Sequence, residues 1–295
     1  MKRAALFLVA FASPALAHGR ETSNAPGWSF DPWLVVPLLA LLLVFLIGFV
    51  RLRGRSDLGR TALRKSAALF LSGWSVLALT MLSPLHEGGE RSFTLHMIEH
   101  ELIMLVATLL LAASAAGGML AWGLPGIVRQ KIIGGWQAQL SILWRRLTEP
   151  VTATLLQAVA MCAWHAPGPF DLALEHRGWH IAQHLSFLVT SFLFWWAMFQ
   201  VRGDRSRFGL SAACLFVTSL VGGGLGALMA LSASPWYAPY AQMQLSGIGL
   251  DPVTDQQLAG LLMWIPGGIV HAGAALYCLY RWMTAAGERN ALFVR

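Results

Sequence analysis

Charge is what this chain of 295 residues has least of: 12% are Asp, Glu, Lys or Arg, where a soluble domain carries about 25%. That deficit argues against an ordinary soluble fold. Acid is scarcer than base, 14 residues against 21, giving a net charge of +7. The basic residues are nevertheless spread along the chain rather than gathered in one patch, which excludes a nucleic-acid surface. Cysteines number three, Cys162, Cys214 and Cys278, with no C-x-x-C pair. A thiolate zinc or iron–sulfur site therefore lacks its ligands, and no structural disulfide is expected. Low-complexity segments are missing too, and the sole internal repeat is a pair of H-x-x-x-H segments.

What is present is hydrophobic residue, 56% of the chain. Several apolar runs reach the roughly 20 helical residues that cross a hydrocarbon core of about 30 Å. Spans are expected at Trp33 to Val50, Ser66 to Leu85, Leu95 to Ala116, Val151 to His165, Trp179 to Val201, Phe208 to Leu231 and Gln257 to Trp282. Basic residues sort by side. Arg51, Arg53, Arg55, Arg60, Arg64 and Lys65 follow the first span. Arg129, Lys131, Arg145 and Arg146 follow the third, Arg202, Arg205 and Arg207 the fifth, and Arg281, Arg289 and Arg295 the seventh. The other connections hold only Arg20, Arg91 and Arg177. The positive-inside rule then gives an all-α polytopic bundle of about seven spans, with an outside N-terminus and a cytoplasmic C-terminus.

Residues 1–17 read as a secretory signal, with basic Lys2 and Arg3, an apolar stretch, and the small-residue box Ala15-Leu16-Ala17. The expected organisation is then a short periplasmic segment over 18–32, a transmembrane domain over 33–283 and a cytoplasmic tail over 284–295. Trp28, Trp33, Trp164, Trp179, Trp236 and Tyr237 are expected at the outer interface, and Trp195, Trp196 and Trp282 at the inner one. The small residues Gly222, Gly223, Gly224 and Gly226 mark a face for close helix packing.

Six of nine histidines, His96, His100, His165, His176, His180 and His184, fall at or just beyond helix ends on one side of the predicted bundle. His96 and His100 are four residues apart, so they stack on one helix face, and His180 and His184 repeat the arrangement. His165 closes the fourth span at the same level. Ionisable groups are costly in a membrane and usually functional there, and imidazole is the commonest protein ligand for transition metals. His96, His100, His165, His180 and His184 are therefore the candidate metal ligands. Glu99 is a candidate to orient them, and Met104 and Met161 continue the two stripes one turn deeper. His176 and His86 read as solvated loop residues, and His271, deep in the last span, reads equally as a packed or hydrogen-bonded side chain or as one with a role. If cleavage follows Ala17, the amino group and ring of His18 form a further possible copper(II) chelate.

Imidazole with nearby thioether sulfur suits copper, and histidine alone also suits zinc or iron. Two other readings stay open. His96 to His100 matches H-x-x-E-H, a zinc-protease signature in which Glu99 would activate water. Histidines from two different helices are able to ligate a haem iron.

At these residues the chain resembles the CtaG family of cytochrome c oxidase assembly proteins, the multi-span kind associated with caa-type oxidases. The resemblance rests on His96-Met97-x-x-His100, on Trp164-His165-x-Pro167 followed by Phe170-Asp171-x-Ala173-Leu174, and on His180-x-x-x-His184 with Leu193-Phe194-Trp195-Trp196. Asp255-Gln256-Gln257-Leu258-Ala259-Gly260 with Met263-Trp264-Ile265-Pro266-Gly267-Gly268 completes it. Two positions depart from the pattern: Ala107-Thr108 stands where many relatives carry Ala-Pro, and Glu101 where some carry methionine. The second departure favours a harder or histidine-led site over a methionine-rich copper(I) site. The resemblance implies a non-enzymatic assembly factor of the bacterial inner membrane. It would deliver copper to the catalytic subunit of the oxidase, with the lipid bilayer as its other partner.

Overall fold

In a computed structural model, residues 26–55, 59–134, 137–200 and 207–293 are described. The signal segment and His18 lie outside the described residues. All regular structure among those described is helical. The chain runs α1 (Pro32–Arg53), α2 (Arg60–Leu82), α3 (Pro84–Gly89) and α4 (Phe93–Glu101). A π-helical turn (Leu102–Ala107) then leads into α5 (Thr108–Ser114). Next come α6 (Gly117–Gly123), α7 (Gly126–Gly134), α8 (Gln137–Leu147), α9 (Pro150–His165) and α10 (Pro167–Glu175). The remainder are α11 (Arg177–Phe199), α12 (Arg207–Ala230), α13 (Ala238–Ala241) and α14 (Pro252–Phe293).

Local chemistry sets these boundaries. Asp31 caps α1 by accepting from the Trp33 amide at 3.1 Å, and proline occupies the first turn, where its missing N–H costs nothing. Glu149 caps α9 in the same way, accepting from Thr152 N at 2.8 Å ahead of Pro150. Along α1, Leu39, Leu43, Leu46 and Val50 face outward, as expected of a helix solvated by lipid.

Among the described residues, six helices are long and apolar enough to cross a membrane: Pro32–Arg53, Arg60–Leu82, Phe93–Ser114, Arg177–Phe199, Arg207–Ala230 and Pro252–Ala285. The predicted fourth span is the exception. Helix α9 has 16 residues, about 24 Å at 1.5 Å per residue, and so falls short of a full crossing. Extended Ala166 and Pro167 end it there. It still packs within the bundle, against α11 and α12. At the other end, α14 continues to Phe293, through much of the segment expected as a tail.

Close packing of α12 on α14 explains the glycines. A Cβ on Gly226 would lie 2.7 Å from the Gly260 carbonyl oxygen, and one on Gly260 would lie 2.5 Å from that of Gly226. Gly222 and Gly223 instead face the side chains of Met161 and Trp264, and Gly224 meets nothing nearby. Gly226→Ala must push the two backbones apart. We expect it to lower stability by about 1–3 kcal/mol, read as an earlier thermal unfolding midpoint in detergent.

Two belt assignments need correction. Tyr237 is buried and its hydroxyl donates to the His165 carbonyl at 3.0 Å. Trp195 is buried and its Nε1 donates to the Met104 carbonyl at 2.8 Å. Both are aromatic groups whose polar tip found a protein partner instead of an interface. Cys162, Cys214 and Cys278 are free thiols.

Candidate metal centre

Helix α4 starts at Ser92, whose hydroxyl accepts from Leu95 N at 3.4 Å. Its entry is held mainly from α14. The buried Asp255 carboxylate accepts from Ser92 Oγ at 2.9 Å, Phe93 N at 2.7 Å and Thr94 N at 3.3 Å. Thr94 Oγ1 donates in turn to the Asp255 carbonyl at 2.9 Å. Orphan donors at a helix start and the positive end of its dipole are thus both met by one carboxylate. The next two residues tie down the segment before α14. Gln256 Oε1 accepts from Trp236 N at 2.6 Å, and Gln257 Nε2 donates to the Ser232 carbonyl at 3.0 Å.

So fixed, α4 presents His96 and His100 with ring centroids 4.3 Å apart, and α11 presents His180 and His184 at 4.4 Å. The two pairs face each other. His96 is 6.0 Å from His180 and 6.3 Å from His184, and His100 is 5.2 Å from His184. His165, from the end of α9, stands 6.5 Å from His100. All five predicted rings are gathered rather than splayed into lipid. His176 caps α11 and is exposed, as expected.

A sixth imidazole completes the group. His86, expected in a loop, lies on α3 with its ring 5.3 Å from His180 and 5.7 Å from His184. One ligand atom from each of His86, His180 and His184 can be chosen so that all lie within 4.8 Å of one another. Gly89 makes this approach possible, since a Cβ there would sit 3.3 Å from His96 Cα. A signal for His86 existed in the sequence: it directly follows the second span, which ends on the side where the third begins.

Glu99 is fully buried beneath these rings. Its Oε1 accepts from His86 Nδ1 at 2.7 Å and lies 3.9 Å from His184 Nε2. Burial lowers the affinity of His86 for a proton, but the hydrogen bond and charge of Glu99 outweigh it, and its pKa is raised above 6.5. An ionised carboxylate at this place would attract a metal cation as well. Tyr240 donates to the Gly89 carbonyl at 2.5 Å and lies 3.4 Å from His96 Nδ1. His165 Nδ1 donates to the Met161 carbonyl at 2.8 Å, which leaves its Nε2 as the free nitrogen.

The decisive property is what these rings do not touch. Nε2 of His96, His165, His180 and His184 and both nitrogens of His100 are buried without a hydrogen-bond partner. Buried polar atoms are normally satisfied, so six unpartnered imidazole nitrogens around one space fit a metal that would take up their lone pairs. Phe93, Phe170, Phe187 and Tyr237 wall this space in apolar surface. Met104 and Met161 are buried one turn deeper in that same cluster. His271 lies elsewhere: its Nδ1 donates to the Gly267 carbonyl at 2.7 Å and its ring stacks on Trp195.

The sequence is similar to uncharacterized proteins of Mycobacterium bovis and Mycobacterium tuberculosis, each 24% identical over 250 residues. A third from Mycobacterium leprae is 25% identical over 247 residues. Each alignment covers 80% of this chain but 36% of the relative, so the chain spans little more than a third of their length. No solved structure matches it. The family description "Cytochrome c oxidase caa3 assembly factor" matches residues 43–285, an interval that holds every clustered histidine, Glu99 and Asp255. The chain belongs to that family, Caa3_CtaG.

Proposed function

We propose that this protein holds copper on the imidazoles of α3, α4, α9 and α11 and passes it to the catalytic subunit of a caa-type oxidase in the bacterial inner membrane. The observation that carries this reading is the set of unpartnered imidazole nitrogens gathered from α4, α9 and α11, with His86 of α3 beside them. The cluster has more imidazoles than one ion takes. His86, His180 and His184 form one group of neighbours, and His96, His100 and His165 another. Such a surplus suits cargo more than a fixed cofactor, because copper moves by exchanging one ligand at a time and each lost imidazole has a neighbour to replace it. Spacings of 4.3–6.5 Å between neighbouring ring centroids suit single-atom guests rather than a flat macrocycle, which favours copper or zinc over haem.

The assignment is to a non-enzymatic carrier. The carboxylate that a zinc protease would use to activate water is here engaged by His86 and wholly buried. Deleting the gene is expected to leave the oxidase subunits present in membranes but poor in copper, measured by metal analysis of the purified oxidase. Fully metallated oxidase from the deletion strain refutes the proposal.

A further inference from the structure

One turn deeper than the imidazoles, the bundle holds a partly open cavity of about 20 Å³, room for one water-sized guest. Glu101, Gln157 and His271 line it together with Met104, Met161 and Met263. Two polar atoms of its lining lack partners: Glu101 Oε2 and Gln157 Oε1 are both buried with no hydrogen bond. Met161 and Met263 converge on the same wall. Met161 Sδ and Met263 Cε lie 3.4 and 3.9 Å from the point a Cβ on Gly222 would occupy. Glu101 Oε2 lies 3.5 Å from the corresponding point on Gly267, and His271 donates from Nδ1 to that residue's carbonyl. The cavity also adjoins the π-helical turn at Leu102–Ala107. There the Met104 carbonyl accepts from both Thr108 Oγ1 and Trp195 Nε1. Such turns occur often at functional sites.

We propose that this cavity is a second, inner copper site selective for Cu(I). The thioethers of Met104, Met161 and Met263 act as soft ligands, and the Glu101 carboxylate supplies the balancing charge. The inference rests on the copper reading of the histidine cluster and extends it inward. Thioether sulfur selects Cu(I) over harder ions. A single carboxylate neutralises a monovalent cation, so the pair sits in apolar surroundings without net charge, whereas a divalent ion would leave one charge uncompensated. A lone water would satisfy the two oxygens but gives the three sulfurs no role. Met104 is one turn from His100 and Met161 one turn from His165, so an ion leaving either imidazole finds a thioether about 6 Å deeper.

The test loads the purified full chain with Cu(I) in detergent without oxygen, then measures copper per chain and copper-edge X-ray absorption. Wild type is expected to hold about two ions, with both nitrogen and sulfur in the first shell. The triple variant Met104→Leu, Met161→Leu, Met263→Leu nearly conserves volume, and should lose one ion and the sulfur signal while keeping the nitrogen-bound ion. Should that variant misfold, Glu101→Gln in its place should weaken the sulfur-bound ion about tenfold or more. A wild-type spectrum without sulfur overturns the inner site, as does undiminished copper in the triple variant or undiminished affinity in Glu101→Gln. Copper bound on sulfur alone would uphold the inner site and sink the histidine reading, so the two failures are distinguishable.

Discussion

His180→Ala combined with His184→Ala is expected to strip the outer copper from the purified protein, weakening its binding by roughly a hundredfold or more. The estimate is a lower bound, because losing only a group that orients a ligand already costs about 10–100-fold. With His86 these two residues form a group whose ligand atoms lie within 4.8 Å of one another, so their loss leaves His86 alone there. The rings left for the ion are then His86 and the group of His96, His100 and His165. The readout is metal per chain after dialysis against a competing chelator. Helix α11 should persist, since alanine is a strong helix former and Phe187, Phe194 and Trp195 still anchor it in the core. Retention of wild-type copper by the folded double variant would show that the ligands lie elsewhere.

Asp255→Ala is expected to be the most damaging single change for stability, at about 3–5 kcal/mol. Removing the carboxylate orphans three buried donors, Ser92 Oγ, Phe93 N and Thr94 N. Each unpaired buried group costs about 1–3 kcal/mol, with part of the sum relieved by relaxation. The loss falls at the start of α4, so His96 and His100 should lose their register with α11. Copper retention should then fall although Asp255 is no ligand. Asp255→Asn keeps one acceptor oxygen and is expected to recover part of both properties. An Asp255→Ala protein with an unshifted unfolding midpoint would refute this account. The prediction separates anchoring from coordination, since anchoring alone is rescued by asparagine.

Much of the site was legible in the sequence because helical spacing is a strong constraint. Histidines four apart must share a face, and alternating spans must return to the same level, so His96, His100, His165, His180 and His184 could be grouped across almost ninety positions. His86 was not legible in that way. It stands alone, without an i,i+4 partner, and its inclusion depends on α3 lying against α4 at Gly89. Asp255 was visible only as part of a block of resemblance, because which helix start a distant carboxylate will cap is a tertiary fact. The placement of Glu101 is a tertiary fact too. It follows His100 by one residue, which turns it about 100° around the helix, and it lines the inner cavity with the methionines. Its presence therefore says little about the hardness of the histidine site. The fold itself followed from the apolar runs, and α9 ends at His165, where its run was expected to end, just ahead of Ala166-Pro167.

The clasp between Asp255 and the start of α4 joins residues about 160 positions apart. A ribosome makes Asp255 after all six of the clustered histidines, so during synthesis those imidazoles enter the bilayer before the carboxylate that aligns the first pair. The pocket stays unfinished until α14 inserts. On the proposed copper reading, loading of metal would wait for α14.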